Sequence, residues 1–193
     1  MPFDAMNDTP DEALLVLYAN GDRAAAQALT MRLTPRVLGY AGRLLNDRSE
    51  AEDVAQEAML RLWKIAPEWR QGEAKVTTWL YRVVTNLCTD RLRKRRDVAL
   101  DAVPEPEDGQ PSAAEGMIEA ERAAALATAL ETLPDRQRQA VVLRHLEGAS
   151  NPEIAQVLGI SVEAVESLTA RGKRALATAL AGQREKLGYY DGE

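Results

Sequence analysis

The chain has 193 residues, with 24 Lys and Arg against 30 Asp and Glu, one Cys and one His. A single cysteine excludes an intramolecular disulfide, and Cys88 with His145 cannot assemble a zinc site of the Cys/His type. No apolar run reaches the length of a membrane span. The N-terminal M-P-F-D-A-M-N-D-T-P-D-E is acidic and has no apolar signal core, so a cytoplasmic protein is the expectation.

Charge is blocked along the chain. Residues 1–60 are net −5, residues 61–96 net +7, residues 97–121 net −8, and residues 122–193 balance. One basic segment between two acidic ones gives a polyanion a place to bind, while the acidic blocks oppose non-specific binding. Ala and Leu are abundant, and apolar residues recur three and four apart, which predicts an all-α chain.

In chain order, Asp11–Asn20 reads as a short first helix. Asp22–Leu45 reads as a second, with Leu29, Leu33, Val37, Tyr40, Ala41 and Leu44 as its apolar stripe. Pro35 removes a backbone hydrogen bond there and predicts a kink or break. Asp47–Glu50 is a turn with Ser49 as the expected cap. Glu50–Ile65 is the third helix, and Ala51, Val54, Ala58, Leu62 and Ile65 form its core stripe. Its opposite arc holds Asp53, Gln56, Glu57, Leu60 and Trp63. A Leu and a Trp among carboxylates either mark a partner surface or cover a neighbouring helix. Pro67–Lys75 is a loop.

Val76–Arg96 is the fourth helix, with Val76, Leu80, Val83, Val84 and Leu87 in one apolar arc. Trp79, Arg82, Asn86, Asp90 and Arg93 lie on the neighbouring face, and the helix ends in Arg91, Arg93, Lys94, Arg95 and Arg96. Taken alone, this is either an amphipathic helix with a solvated basic end or a surface for a strand with accessible bases. Residues 97–115 lack periodicity, hold Pro104, Pro106 and Pro111 among acids, and read as a flexible acidic linker.

A second domain is expected from about Gly116. Leu126, Ala129, Leu130 and Leu133 mark one helix, and Ala140–Leu146 another that stops at Gly148. Ser150 or Asn151 caps the next helix, with Pro152 at its start and Glu153 placed for a capping box. Gly159 is a tight turn, and Ser161 caps the last helix. This is helix-turn-helix spacing. In the last helix Val165, Leu168, Gly172, Ala175, Leu176 and Ala179 share the inner arc, where Gly172 implies close packing. Glu163, Glu166, Ser167, Arg171, Lys173 and Arg174 share the outer arc. Those side chains suit a major groove, early ones near bases and later basic ones on phosphates.

Three stretches together resemble the extracytoplasmic function (ECF) sigma factors of the sigma-70 family. D-R-S-E-A-E-D-V-A-Q-E-A-M-L-R-L-W-K is similar to the polymerase-binding helix of region 2. T-T-W-L-Y-R-V-V-T-N-L-C-T-D-R-L-R-K-R-R is similar to its promoter −10 helix. The segment from Leu133 to Leu176 is similar to region 4, with Gly172 standing where Ala is commoner.

The resemblance implies two small helical domains: region 2 over 1–96 and region 4 over 116–182, with a tail from 183 to 193. It implies a promoter-specificity subunit with no catalysis and no cofactor. Asp53, Gln56, Glu57, Leu60 and Trp63 would dock on the clamp helices of the largest polymerase subunit, and region 4 would meet the flap. The Pro67–Lys75 loop, including Trp69, would cradle a flipped −10 base, and Trp79, Arg82 and Asn86 would hold the melted strand. Asp90, Arg93, Arg95 and Arg96 would continue that surface onto duplex phosphates. Ser161, Glu163, Glu166, Ser167, Arg171, Lys173 and Arg174 would face the −35 element. An anti-sigma factor is an expected partner.

A sigma mimic that only sequesters an anti-sigma factor is the alternative, but the basic end of the fourth helix and the basic outer face of the last have no use in it. A stand-alone helix-turn-helix repressor leaves Leu60 and Trp63 without purpose. No nucleophile–base set, carboxylate pair or phosphate loop suggests an enzyme.

Overall fold

Short polar side chains set several helix starts in this chain, and the computed structural model describes residues 6, 8–70, 72, 74–101 and 117–181. Helix α1 spans Asp11–Ala19. The Asp22 carboxylate accepts from the backbone N–H groups of Ala24 (2.9 Å) and Ala25 (3.3 Å) and starts α2, Arg23–Leu45. All six residues of the expected α2 stripe are buried. The helix continues through Pro35, against the expected break. Pro35 lies on the exposed face, as does Met31 one turn earlier at 62% exposure, so water can replace the missing bond. Nine buried residues on the other side, each worth roughly 1.5–3 kcal/mol for a large aliphatic side chain, outweigh a proline cost of about 3 kcal/mol.

Helix α3 spans Arg48–Ile65, and its cap is Asp47 rather than Ser49. Asn46 in the left-handed region (φ 47°) turns the chain so that Asp47 is extended and its carboxylate accepts from the Glu50 N–H at 2.9 Å. A 3₁₀ turn, Ala66–Glu68, follows. Helix α4 spans Val76–Asp101, so it runs past Arg96 and the first residues assigned to the linker are helical. Its first N–H, that of Val76, donates to the Glu12 carboxylate of α1 at 2.9 Å, a cap supplied from a distant part of the sequence.

Helices α5 (Met117–Glu131), α6 (Asp135–His145), α7 (Asn151–Leu158) and α8 (Val162–Ala181) make a second bundle. Ser150 and Glu153 form a reciprocal capping box on α7. Gly159 ends α7 at φ 63°, ψ 42°, and the Ser161 hydroxyl accepts from the Ala164 N–H at 3.2 Å to start α8. Gly172 explains itself by contact: a Cβ there would lie 2.4 Å from Val141 Cγ2 and 3.3 Å from the Gln137 carbonyl oxygen. Its missing side chain lets α8 lie directly on α6, and Gly172 is buried as its arc predicted.

In the first bundle α2 packs on α1, α3 and α4. In the second, α8 packs on α5, α6 and α7. The bundles also meet, α7 against α4 and α6 against α2, so the buried side chains form one continuous core. Among the described residues every regular element is helical, and no helix is long and apolar enough to cross a membrane.

Candidate nucleic-acid and partner interfaces

The outer side of α3 is the first candidate surface. Ala51, Val54, Ala58 and Leu62 turn inward, which leaves Asp53, Gln56 and Leu60 exposed, Leu60 at 60%. Glu57 pairs with Arg61 one turn on. Trp63 is half-buried, its ring 4.6 Å from the Tyr18 ring of α1 at 56°. One face of Trp63 therefore covers α1, as the second of its two readings expected, and the remainder lines a groove. That groove, about 330 Å³, lies between α2 and α3 and is walled by Thr34, Leu38, Met59, Leu60 and Trp63. The α2 wall escaped the sequence reading. Its signal was Leu38, an apolar residue off the buried stripe of α2.

The loop after α3 and the start of α4 form the second surface. Trp69 meets Trp79 edge to face, ring centres 6.1 Å apart at 88°. The Trp69 indole N–H is buried with no acceptor among the described residues. Arg82 and Asn86 follow on the same side of α4 and are exposed. The basic end is less open than its sequence implies. Arg91 faces Asp53 at 3.9 Å, and Arg93 pairs with Asp90 at 3.1 Å. Arg95 reaches back to the α2–α3 turn, where it meets Asp47 (3.3 Å) and Glu50 (3.0 Å) and donates to the Leu45 carbonyl (3.0 Å). Its guanidinium thus braces the start of α3. Arg96 pairs with Asp135 of α6 at 3.0 Å.

A third side of α4, Tyr81–Thr85–Thr89, was missed. Its four-residue spacing was the available signal, but polar residues at that spacing resemble a solvated face. Here its first two members are covered, and Thr89 stays exposed. Tyr81 and Thr85 are buried, and Tyr40 bonds the Thr85 hydroxyl at 2.8 Å and packs edge-on against Tyr81 at 5.1 Å. The Tyr81 hydroxyl donates to Glu147 at 2.8 Å, and burial together with that carboxylate pushes its pKa up. The Gln139 amide donates to Thr89 at 3.2 Å. Cys88 lies in the core, and burial pushes its thiol up to about 12, so it is held as the neutral thiol.

Helix α8 carries the third surface. Val165 and Gly172 are buried, while Glu163, Glu166, Ser167, Arg171, Lys173 and Arg174 are exposed on the opposite side. Arg171 donates to the Ser167 hydroxyl at 2.6 Å, which orders it along the helix. Glu163 sits in the first turn, where a backbone N–H and the Ser161 hydroxyl hold its carboxyl below the usual range. The arrangement presents carboxylates at the N-terminal end and cations two turns later. Among the described residues no cluster of His, Cys, Asp and Glu is placed to hold a metal ion.

Residues 29–98 match Sigma-70 region 2, and residues 123–176 match Sigma-70, region 4. The chain belongs to the ECF sigma factors of the sigma-70 family. It is 37% identical over 179 residues to the ECF RNA polymerase sigma factor SigM of Mycobacterium tuberculosis, covering 92% of this chain and 88% of that one. It is 34% identical over 173 residues to the ECF RNA polymerase sigma factor SigE of Mycolicibacterium smegmatis, covering 86% and 66%. Among solved structures, CnrH in complex with the cytosolic domain of CnrY is similar at a TM-score of 0.66 and 26% identity, covering 89% of this chain and 97% of that one. Proteins of this family are initiation factors rather than enzymes. The chain is accordingly a non-catalytic transcription initiation factor for RNA polymerase.

Proposed function

We propose that the three surfaces divide the work of promoter-specific initiation. The α2–α3 groove, with Asp53, Gln56, Glu57, Leu60 and Trp63, docks on the clamp helices of the largest polymerase subunit, and region 4 meets the flap. Trp69, Trp79, Arg82 and Asn86 take the unpaired −10 strand, where an aromatic corner beside exposed donors suits splayed bases. Asp90, Arg93 and Arg96 extend that surface toward duplex phosphates. Arg95 is left out, because its guanidinium is committed to Asp47 and Glu50. The α8 face, from Ser161 through Glu163, Glu166, Ser167 and Arg171 to Lys173 and Arg174, enters the −35 major groove. Binding energy on exposed bases favours the open strand, so melting follows from differential affinity and needs no ATP.

Region 2 extends over residues 1–96 with the helical continuation to Asp101, and region 4 over 116–182. The joining residues 102–116 and the tail beyond 181 lie outside the described residues. The factor works in the cytoplasm, and an anti-sigma protein that covers these faces is its expected regulator. In support, CnrH is described in complex with the cytosolic domain of CnrY.

One observation carries this reading: a helix-turn-helix with a basic outer face shares a chain with an exposed apolar groove and a Trp corner in a basic segment. Run-off transcription with core polymerase on a promoter library tests it. The wild-type chain should direct initiation from a defined set, and Leu60→Asp should abolish initiation without changing −35 duplex binding. Equal transcription with and without the chain would overturn the reading, as would full activity of Leu60→Asp.

A further inference from the structure

The outer face of α8 is not uniformly basic. At about 100° per residue, Glu163, Glu166, Ser167 and Ala170 fall on the half of the helix turned away from buried Val165 and Gly172. All four are exposed. Arg171 and Lys173 stand on the two opposite edges of that half. Arg174 returns to its middle, but about 16 Å along the axis from Glu163. The N-terminal part of the helix is the part that meets base edges in a major groove. Its outward row here carries two carboxylates, a hydroxyl and a methyl, and no guanidinium, ammonium or carboxamide.

The four side chains are not equally free. The Glu163 carboxylate is met at the helix start by a backbone N–H and the Ser161 hydroxyl. The Ser167 hydroxyl accepts from Arg171 at 2.6 Å, and the Ser167 carbonyl accepts from the Arg171 Nε–H at 3.3 Å, so that guanidinium lies back along one edge. Thr169, the nearest hydroxyl to Glu166 in sequence after Ser167, donates to the backbone carbonyls of Val165 (2.9 Å) and Glu166 (3.0 Å) instead of to a side chain. The Glu166 carboxylate is left with no partner among the described residues, pointing outward between two cationic edges.

A free carboxylate brought among phosphates is repelled unless a donor meets it. In the major groove, guanine presents N7 and O6 and thymine presents O4, all of them acceptors, and only the cytosine N4 and adenine N6 amino groups donate. The adenine amino group stands beside the N7 acceptor, whereas the cytosine amino group has no acceptor beside it on that edge. We propose that Glu166 is a specificity-determining residue that selects cytosine at one position of the −35 element by accepting from its N4 amino group. The same carboxylate rejects guanine and thymine at that position, so discrimination comes from the excluded bases as well as from the accepted one. Arg171 and Lys173, on the edges, hold the phosphates that flank the groove. This assignment rests on α8 lying in the −35 groove, as proposed above.

Two measurements on holoenzyme formed from the full chain and core polymerase test it. In the first, holoenzyme selects from duplexes randomised over the −35 element, and the bound sequences are counted. The wild type should enrich cytosine at one position by roughly tenfold. Glu166→Gln should move the preference at that position alone to adenine on the same strand, because a carboxamide meets adenine N6 and N7 together. Glu166→Ala should flatten it. A base preference identical in the wild type and both variants would overturn the proposal, as would selection of no −35 sequence at all.

The second measurement is anisotropy of the selected duplex and of its counterpart with guanine in place of that cytosine. Glu166→Ala should weaken the first and, with the repelling charge gone, tighten the second several-fold. An equal loss on both duplexes would mean that Glu166 acts without reading a base, and would overturn the proposal. Arg171→Ala with Arg174→Ala separates this assignment from the one beneath it. If that pair lowers the salt slope while the Glu166 variants keep the wild-type preference, α8 lies in the groove and the cytosine assignment alone fails. If neither responds, the groove assignment fails and takes the cytosine assignment with it.

Discussion

Helices α4 and α8 both carry a basic outer face over a buried stripe, yet their cations are treated differently. In α4, Arg91, Arg93, Arg95 and Arg96 each face a carboxylate. In α8, Arg171 leans on the neutral Ser167 hydroxyl, and Lys173 and Arg174 extend into solvent. A cation already facing a carboxylate must exchange that partner to take a phosphate, whereas an exposed one exchanges only water and counterions. The α8 cations are therefore open for exchange, while the basic end of α4 is already engaged with carboxylates.

The largest expected effect breaks the α8 side. Arg171→Ala with Arg174→Ala should weaken −35 duplex binding by roughly 10–100-fold and reduce the salt slope of binding by about two. Titration at several salt concentrations measures this, and an unchanged slope would remove α8 from the groove.

Gly172→Ala comes next. Helix propensity gains about 1 kcal/mol, but the new Cβ meets Val141 Cγ2 at 2.4 Å, and overpacking a filled core costs roughly 1–3 kcal/mol. Thermal melting should show a net loss of several degrees, with the added Val141→Ala substitution relieving the clash. A rise in Tm would mean that α6 and α8 are not in contact as described.

Arg95→Ala sharpens the α4 side. It removes partly exposed ion pairs and one bond to the Leu45 carbonyl, together about 1 kcal/mol of stability. Denaturant titration should register that loss while the salt slope of DNA binding stays fixed. A slope lower by about one would return Arg95 to the phosphate surface.

Smallest are two tests in which nothing should change near neutrality. Cys88 should resist alkylation at pH 8 in the folded chain and react once denatured, because its thiol is pushed up to about 12. Hydrogen bonds from Lys75 and then from Ser150 lower the Glu153 carboxyl to about 2. A depressed carboxyl contributes stability that is complete above its ordinary value and is lost as pH falls toward the folded one. The α7 cap and the Lys75 contact should therefore be constant from pH 7 to about 5 and weaken only below about 4. A marked loss at pH 6 in Ser150–Glu153-dependent melting would contradict this.

Much of this molecule was readable because its signals are local. The α2 stripe, the Ser150–Glu153 box, the Gly159 turn and the inner and outer arcs of α8 each depend on residues within a few turns of one another. Where the reading departed from the structure, the deciding contact was distant or non-periodic. Pro35 did not break α2 because burial on the opposite face outweighs one lost bond. Asp47 displaced Ser49 as a cap because Asn46 adopts a left-handed conformation. The Tyr81–Thr85–Thr89 side was not singled out, because hydroxyls look the same in sequence whether they meet water or Tyr40, Gln139 and Glu147.

By itself the sequence determined helix positions, the caps of α7 and α8, the two bundles' inner stripes and the residue types on three outer faces, since each follows from hydrophobic period and backbone hydrogen bonding within one segment. Only the tertiary structure decided that Arg95 braces α3, that Trp63 both covers α1 and lines a groove with α2, and that region 4 lays its carboxylates on the cations of region 2. Those outcomes depend on which side chains converge across long sequence separations, and charge or polarity at a position does not specify its partner.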